Sequence, residues 1–165
     1  MPENGIDRTD CHILAELQRD GRLSNQELAD RVSLSPSPCL RRVRRLEAEG
    51  YIKKYVALLD PQKMGLGLLA YVSVRLNKIY GASHAPMSDF AADVQAWPEV
   101  VECYAMTGDM DYLLRIQVPD LPCFSRFVMD KLMQHPSVVD MRSSFALQTI
   151  KETTQLQVSQ ARQGA

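Results

Sequence analysis

Four arginines fall within five residues, Arg41, Arg42, Arg44 and Arg45, and carry the densest charge in this sequence. A planar guanidinium donates two parallel hydrogen bonds, which suits it to a phosphate or to the O6 and N7 edge of guanine. Lys53 and Lys54 follow closely. Residues 35–56 hold six basic and two acidic side chains, whereas the whole 165-residue chain has a net charge of −1. A basic patch on an otherwise neutral chain points to phosphate contact in one place. A second group is the run Thr107-Gly-Asp-Met-Asp111. Its glycine turn opens backbone amides to a carboxylate, and Asp109 or Asp111 can accept charge-assisted bonds from an ammonium, as a free amino acid requires. The same run also reads as a plain hairpin turn with solvated acids.

Catalytic and metal chemistry find little here. The sequence has no P-loop, dinucleotide fingerprint or Gly-x-Ser-x-Gly elbow. His12, His84 and His135 lack ligand spacing and are expected in core or surface roles. Cys11, Cys39, Cys103 and Cys123 fit neither a zinc site nor a disulfide framework, so a reducing cytoplasm is expected. Asp109 and Asp111 on one short turn are thin evidence for catalysis, and the chain is not expected to be an enzyme. The N-terminus has no secretory pattern, no stretch approaches the ~20 apolar residues of a membrane span, and 45% hydrophobic with 24% charged residues is globular composition.

The arginines must be positioned by a helix. Asp7 caps a first helix with Ile6, Ile13, Leu14 and Leu17 on one face and Gly21 as its stop. Ser24 and Glu27 form a capping box for a second, which carries Leu28, Ala29 and Val32. The turn Ser33-Leu34-Ser35 leads to a third helix over 37–49, with Ser37 as N-cap, Pro38 in the first turn and Gly50 as the stop. Its apolar stripe is Cys39, Leu40, Val43 and Leu46. At about 100° per residue, Arg41 and Arg45 then point most directly away, with Arg42 and Arg44 on the shoulders. A capped third helix after helix–turn–helix, with arginines opposite its packing face, is the geometry that enters a DNA major groove. Residues 51–59 are β-prone, and Lys53 and Lys54 there would reach backbone as a wing.

The rest of the chain repeats. A strand over 68–76, a helix with Phe90, Val94 and Trp97, and Pro98-Glu-Val-Val-Glu102 are followed by a strand over 112–118, a helix with Phe124, Phe127, Val128 and Leu132, and Pro136-Ser-Val-Val-Asp140. Two tandem β-α-β units predict an antiparallel four-stranded sheet with both helices on one face. The bare face then calls for a second copy of the chain. The stretch Tyr80–Pro86 receives no assignment, and the tail beyond Gln155 is expected to fray.

The string Leu34-Ser-Pro-Ser-Pro-Cys-Leu-Arg-Arg-Val-Arg-Arg-Leu-Glu-Ala-Glu-Gly-Tyr-Ile52 resembles the DNA-binding segment of the Lrp/AsnC family of transcription regulators, and Met106-Thr-Gly-Asp-Met-Asp-Tyr-Leu-Leu114 matches the family's second mark. The resemblance covers residues 6–155. It implies an α+β chain: a winged helix-turn-helix domain (1–50), a wing or linker strand (51–66), a ferredoxin-like βαββαβ domain for effector binding and oligomerisation (67–155), and a flexible tail (156–165). DNA contacts are expected from Ser35, Ser37, Pro38, Arg41, Arg42, Arg44, Arg45, Lys53 and Lys54. The resemblance places an effector between subunits at Ala105, Thr107, Gly108, Asp109 and Asp111, with Ser144, Phe145 and Ala146. The family more often has Tyr or Phe where Met110 stands. Small and apolar groups without an arginine favour leucine, another branched-chain amino acid or methionine.

The expected molecule is therefore an amino-acid-responsive regulator of amino-acid metabolism. It binds double-stranded DNA, forms a homodimer that assembles to an octamer, is cytoplasmic, and needs no metal or cofactor. The rivals are an architectural DNA-binding protein without effector, and an enzyme of ferredoxin-like fold whose head serves oligomerisation alone.

Overall fold

The computed structural model describes residues 5–77 and 86–158. Most of the unassigned stretch, residues 80–85 with His84, and the tail from 159 lie outside the described residues. The chain divides into two compact units, one made of residues 1–57 with 151–165, the other of 58–150.

The first unit contains α1 (Arg8–Arg19), α2 (Asn25–Arg31) and α3 (Pro36–Ala48). Asp7 and Asp10 close a reciprocal capping box on α1, and Ser24 and Glu27 another on α2, so each helix has two of its orphan amides satisfied at the start. The core is Ile13, Leu14, Leu28, Ala29, Val32, Cys39 and Leu46. Between α2 and α3, Ser33 adopts φ 56°, a left-handed conformation that lets the chain turn sharply.

Two expectations are corrected here. The N-cap of α3 is Ser35, not Ser37, and the helix begins at Pro36. The first turn of a helix has amides without partners, so both Pro36 and Pro38 fit inside it, and starting at the first Ser-Pro pair removes two orphans rather than one. No strand forms over 51–66 either. The β-prone residues there find no ladder partner among the described residues, and Tyr55, Val56, Leu58 and Leu59 are exposed. A turn follows, with the Asp60 carboxylate accepting from the amides of Gln62 and Lys63. At the far end, Leu156 and Val158, in the segment expected to fray, return to α1. The Leu156 amide donates to Gln18 Oε1 and its carbonyl accepts from Gln18 Nε2, while Val158 packs on the helical core.

The second unit runs β1 (Leu68–Leu76), α4 (Pro86–Ala96), β2 (Val100–Ala105), β3 (Tyr112–Val118), α5 (Leu121–Phe127) and β4 (Val138–Phe145). The sheet order is β2-β3-β1-β4 with every pair antiparallel, the ferredoxin-like arrangement predicted from the repeat. Alternation decides which face is buried: Ala70, Val72, Val74 and Leu76 on β1 and Tyr112, Leu114, Ile116 and Val118 on β3 pack under Phe90, Val94, Phe124, Phe127 and Leu132. Trp97 lies edge-on to both Phe90 (5.9 Å) and Phe127 (5.5 Å), joining α4 to α5 on the one covered face of the sheet. The chain after α5 widens into a π-helical turn over Val128–Leu132, which the sequence pattern did not reveal. On the opposite face, Tyr71 and Tyr104 are exposed beside the ion pairs Arg115–Glu102 and Arg75–Asp140, each 3.1 Å. Among the described residues, no helix is long and apolar enough to cross a membrane.

Candidate nucleic-acid and effector sites

On α3 the four arginines separate into two pairs. The Arg42 guanidinium donates to Asp7 Oδ2 at 2.7 Å and to Asp10 Oδ1 at 2.8 Å. Arg45 donates to Asp10 Oδ2, with its Nε 4.0 Å from Glu49. Among the described residues, Arg41 and Arg44 carry no ion pair, and both are exposed. The outward direction therefore differs from the expected one. Leu40 is 37% exposed and leaves the packing stripe, while Arg42 turns toward α1. These two changes rotate the outward direction by roughly 40° at about 100° per residue, which brings Arg44 in beside Arg41 and takes Arg45 out.

The side chain of Asp10 is 1% exposed, against 30% for Arg42 and 43% for Arg45. Its burial was readable in the sequence, since 10, 13, 14 and 17 form one helical stripe and Asp10 stands in it with Ile13, Leu14 and Leu17. Burial pushes the Asp7 carboxyl up, but the Asp10 amide and the Arg42 guanidinium outweigh it and hold Asp7 below its ordinary value. The two carboxylates in turn raise Arg42. A cleft of ≈ 370 Å³ lies against this cluster, lined by Asp7, Arg41, Arg42 and Arg45. Ser35 and Ser37 are exposed at the start of α3 and Pro38 is half-buried. The Asn25 side-chain amide of α2 donates to the carbonyl of Pro36, the first residue of α3, at 2.9 Å. Lys53 and Lys54 are exposed on irregular backbone.

The glycine–acid turn joins β2 to β3, as expected. Gly108 has φ 106°, which a side chain would strain, and nothing lies near its missing Cβ. Gly108→Ala is therefore expected to cost about 1 kcal/mol through backbone conformation alone, read as a lower melting temperature of the second unit. Thr107 and Asp109 are exposed, but Asp111 is 8% exposed and works for the fold. Its carboxylate accepts from the Leu76 amide and its own amide donates to the Val74 carbonyl, both at 2.8 Å. Asp111 thus fastens the turn to the end of β1, which leaves Asp109 as the open carboxylate of the pair.

The other expected effector residues lie elsewhere on the sheet. Ala105 is level with Tyr112 and Val74, whereas Phe145 is level with Ala70. Three strand spacings and four residues along β1 separate the two, roughly 20 Å. Ser144 lies beside Tyr71, Phe145 stacks edge-on against Phe124 at 5.0 Å, and the Ala146 amide donates to the Leu69 carbonyl. One chain does not bring the two groups together. A cleft of ≈ 310 Å³ in this unit, lined by residues that include Val118, Cys123, Arg126 and Lys131, contains none of the eight.

The histidines and cysteines form no metal site among the described residues. His12 is exposed. His135 is buried against Phe90 and Trp97, accepts from the Ser137 amide through Nδ1 and lies 3.4 Å from Asp93 through Nε2. All four cysteines are free, and burial pushes the Cys39 and Cys103 thiols up.

Comparison with known proteins matches both units. Residues 6–53 fit the family model of a winged helix-turn-helix DNA-binding domain, and residues 69–156 fit that of the Lrp/AsnC ligand binding domain. The leucine-responsive regulatory protein of Salmonella typhimurium is 43% identical over 155 residues, which is 94% of this chain and 93% of that protein. A transcriptional regulator from Neisseria meningitidis, solved as a complex with L-methionine, is 49% identical with a TM-score of 0.87, covering 92% of this chain and 96% of its own. An AsnC family transcriptional regulator from Agrobacterium tumefaciens is 41% identical with a TM-score of 0.83 over 92% and 96% of the two chains.

Proposed function

The chain belongs to the Lrp/AsnC family, and from that premise we propose that it is a sequence-specific regulator of amino-acid metabolism whose effector is leucine, another branched-chain amino acid or methionine. It is a DNA-binding transcription regulator with an amino-acid-binding domain, and not an enzyme. The observation that carries the finer reading is the outward projection of Arg41 and Arg44, without internal partners among the described residues, from the helix that follows the turn. With Ser35, Ser37, Pro38, Lys53 and Lys54 they make the DNA face, with the serines and lysines toward phosphate. A homodimer presents two such faces to half-sites about 34 Å apart, or a multiple of that.

The effector site draws on two chains. Thr107, Gly108 and Asp109 on one subunit meet Ser144, Phe145 and Ala146 on another, because within one subunit these groups stand roughly 20 Å apart. The open sheet face with Tyr71 and Tyr104 supports a second copy, and further association gives an octamer in the cytoplasm. The effector shifts the population of assemblies by binding one better than another, and so changes how the heads meet DNA. Binding at a hundredfold excess over Kd stabilises the folded chain by about 2.7 kcal/mol. A thermal-shift screen of the twenty amino acids is thus expected to raise the melting temperature with leucine, isoleucine, valine or methionine. No shift with any of them, together with DNA binding that ignores sequence, would make the protein architectural instead.

A further inference from the structure

Asp10 has every carboxylate oxygen engaged. Oδ1 accepts from Arg42, and Oδ2 accepts from Arg45 and from the Asp7 amide at 3.0 Å. Asp7 completes the circuit, taking the Asp10 amide on Oδ1 and Arg42 on Oδ2. Glu49 stands behind Arg45. Two guanidiniums of α3 therefore spend their charge on acids of the same chain, one of them fully buried. Each keeps guanidinium nitrogens outside these bonds, but a DNA phosphate that reaches them must approach the same buried negative charge, which offsets the attraction.

We propose that Asp10 is a positioning residue that sets the DNA footprint of α3 by withholding Arg42 and Arg45 from the nucleic acid, so that Arg41 and Arg44 alone project from the helix to meet it. The inference rests on the DNA-binding reading above and deepens it. Its chemical consequence is electrostatic. Each phosphate neutralised on duplex DNA contributes about −0.9 to the slope of log affinity against log salt, and that part of the affinity is blind to sequence. Withholding two arginines lowers the slope of each head by up to about 1.8 relative to four contacting groups. Asp10 thus trims the indiscriminate part of the binding and leaves the base-reading groups in place.

The test is fluorescence anisotropy of the full chain on a mixed-sequence duplex across a series of potassium chloride concentrations. Wild type is compared with Arg41→Gln, Arg42→Gln, Arg45→Gln and Asp10→Asn. Each single glutamine variant at 42 or 45 leaves Asp10 one arginine. Both are expected to keep the wild-type slope and bind within about twofold of wild type. Arg41→Gln is expected to flatten the slope by about 0.9 per head if it meets a phosphate, or to leave the slope and lose sequence preference if it meets a base. Asp10→Asn is expected to steepen the slope and tighten binding to the mixed duplex, because the buried charge shared by both guanidiniums is gone and Arg42 keeps only Asp7 and Arg45 only the more distant Glu49. Flattening by Arg42→Gln or Arg45→Gln overturns the inference, as does a folded Asp10→Asn that binds more weakly with an unchanged slope. If Asp10→Asn does not fold, the two glutamine variants decide. Wild type that does not bind duplex at all, even at low salt, removes the DNA-binding reading itself.

Discussion

Removing Arg42 and Arg45 together, as an Arg42→Ala/Arg45→Ala double variant, is expected to destabilise the N-terminal unit by about 3–5 kcal/mol. The reason is what remains. Asp10 has 1% side-chain exposure and would keep only the Asp7 amide as a donor, so its charge would be buried without compensation. The complementary change, Asp10→Ala, is expected to cost less, about 2–3 kcal/mol, for a cap and two ion pairs whose guanidinium ends are partly exposed. The guanidiniums it strands are 30% and 43% exposed and recover water, with Asp7 and Glu49 still near. Because the chain has two units, the reading must be local: hydrogen exchange of α1 and α3 amides, with sheet amides as the internal reference. An Asp10→Ala loss equal to or larger than the double variant's would show that the buried charge does not govern this cluster.

The opposite behaviour is expected at Arg41 and Arg44. Both are exposed and unpaired among the described residues, so alanine at either should change stability by less than about 0.5 kcal/mol. Their loss should appear in DNA binding, at about 1–3 kcal/mol per arginine that meets a base, roughly 5- to 150-fold. Base contact and phosphate contact separate by selection: a variant lacking a base contact relaxes preference at one position of the site, whereas a lost phosphate contact weakens all sequences alike. Binding selections on random duplexes with each variant read this directly. Unchanged affinity and unchanged preference in both variants would remove α3 as the reading element.

Much of this architecture was legible because local rules and tertiary packing agree. The Pro-x-Val-Val-acid repeat marks the return from each helix of the second unit to its following strand, and the alternating segment 68–76 coincides with β1. The capping boxes at Asp7 and Ser24 mark helix starts because they satisfy amides nothing else can reach. What escaped is set by distant partners. Two Ser-Pro pairs are equivalent by propensity, and the choice of the first accompanies the bond from Asn25 to the Pro36 carbonyl. Leu40 is apolar yet exposed, so periodicity alone placed it in the stripe and turned Arg45 outward. Asp111 looks like a turn acid until the Leu76 amide is found on it, 35 residues away in sequence. The β-prone stretch after Gly50 has strand propensity but no ladder among the described residues, and propensity says nothing about partners.

The aromatic cluster that joins α4 to α5 carries a practical corollary. Trp97 is the sole indole of the 165 residues, and it is half-buried between two phenylalanines of the second unit. Emission excited at the red edge of absorbance, where tyrosine is dark, therefore reports that unit and is silent about the three helices ahead of it. A melt followed by this fluorophore and, in parallel, by far-ultraviolet dichroism would give superimposable curves if the two units unfold as one, and divergent ones if the head lets go first.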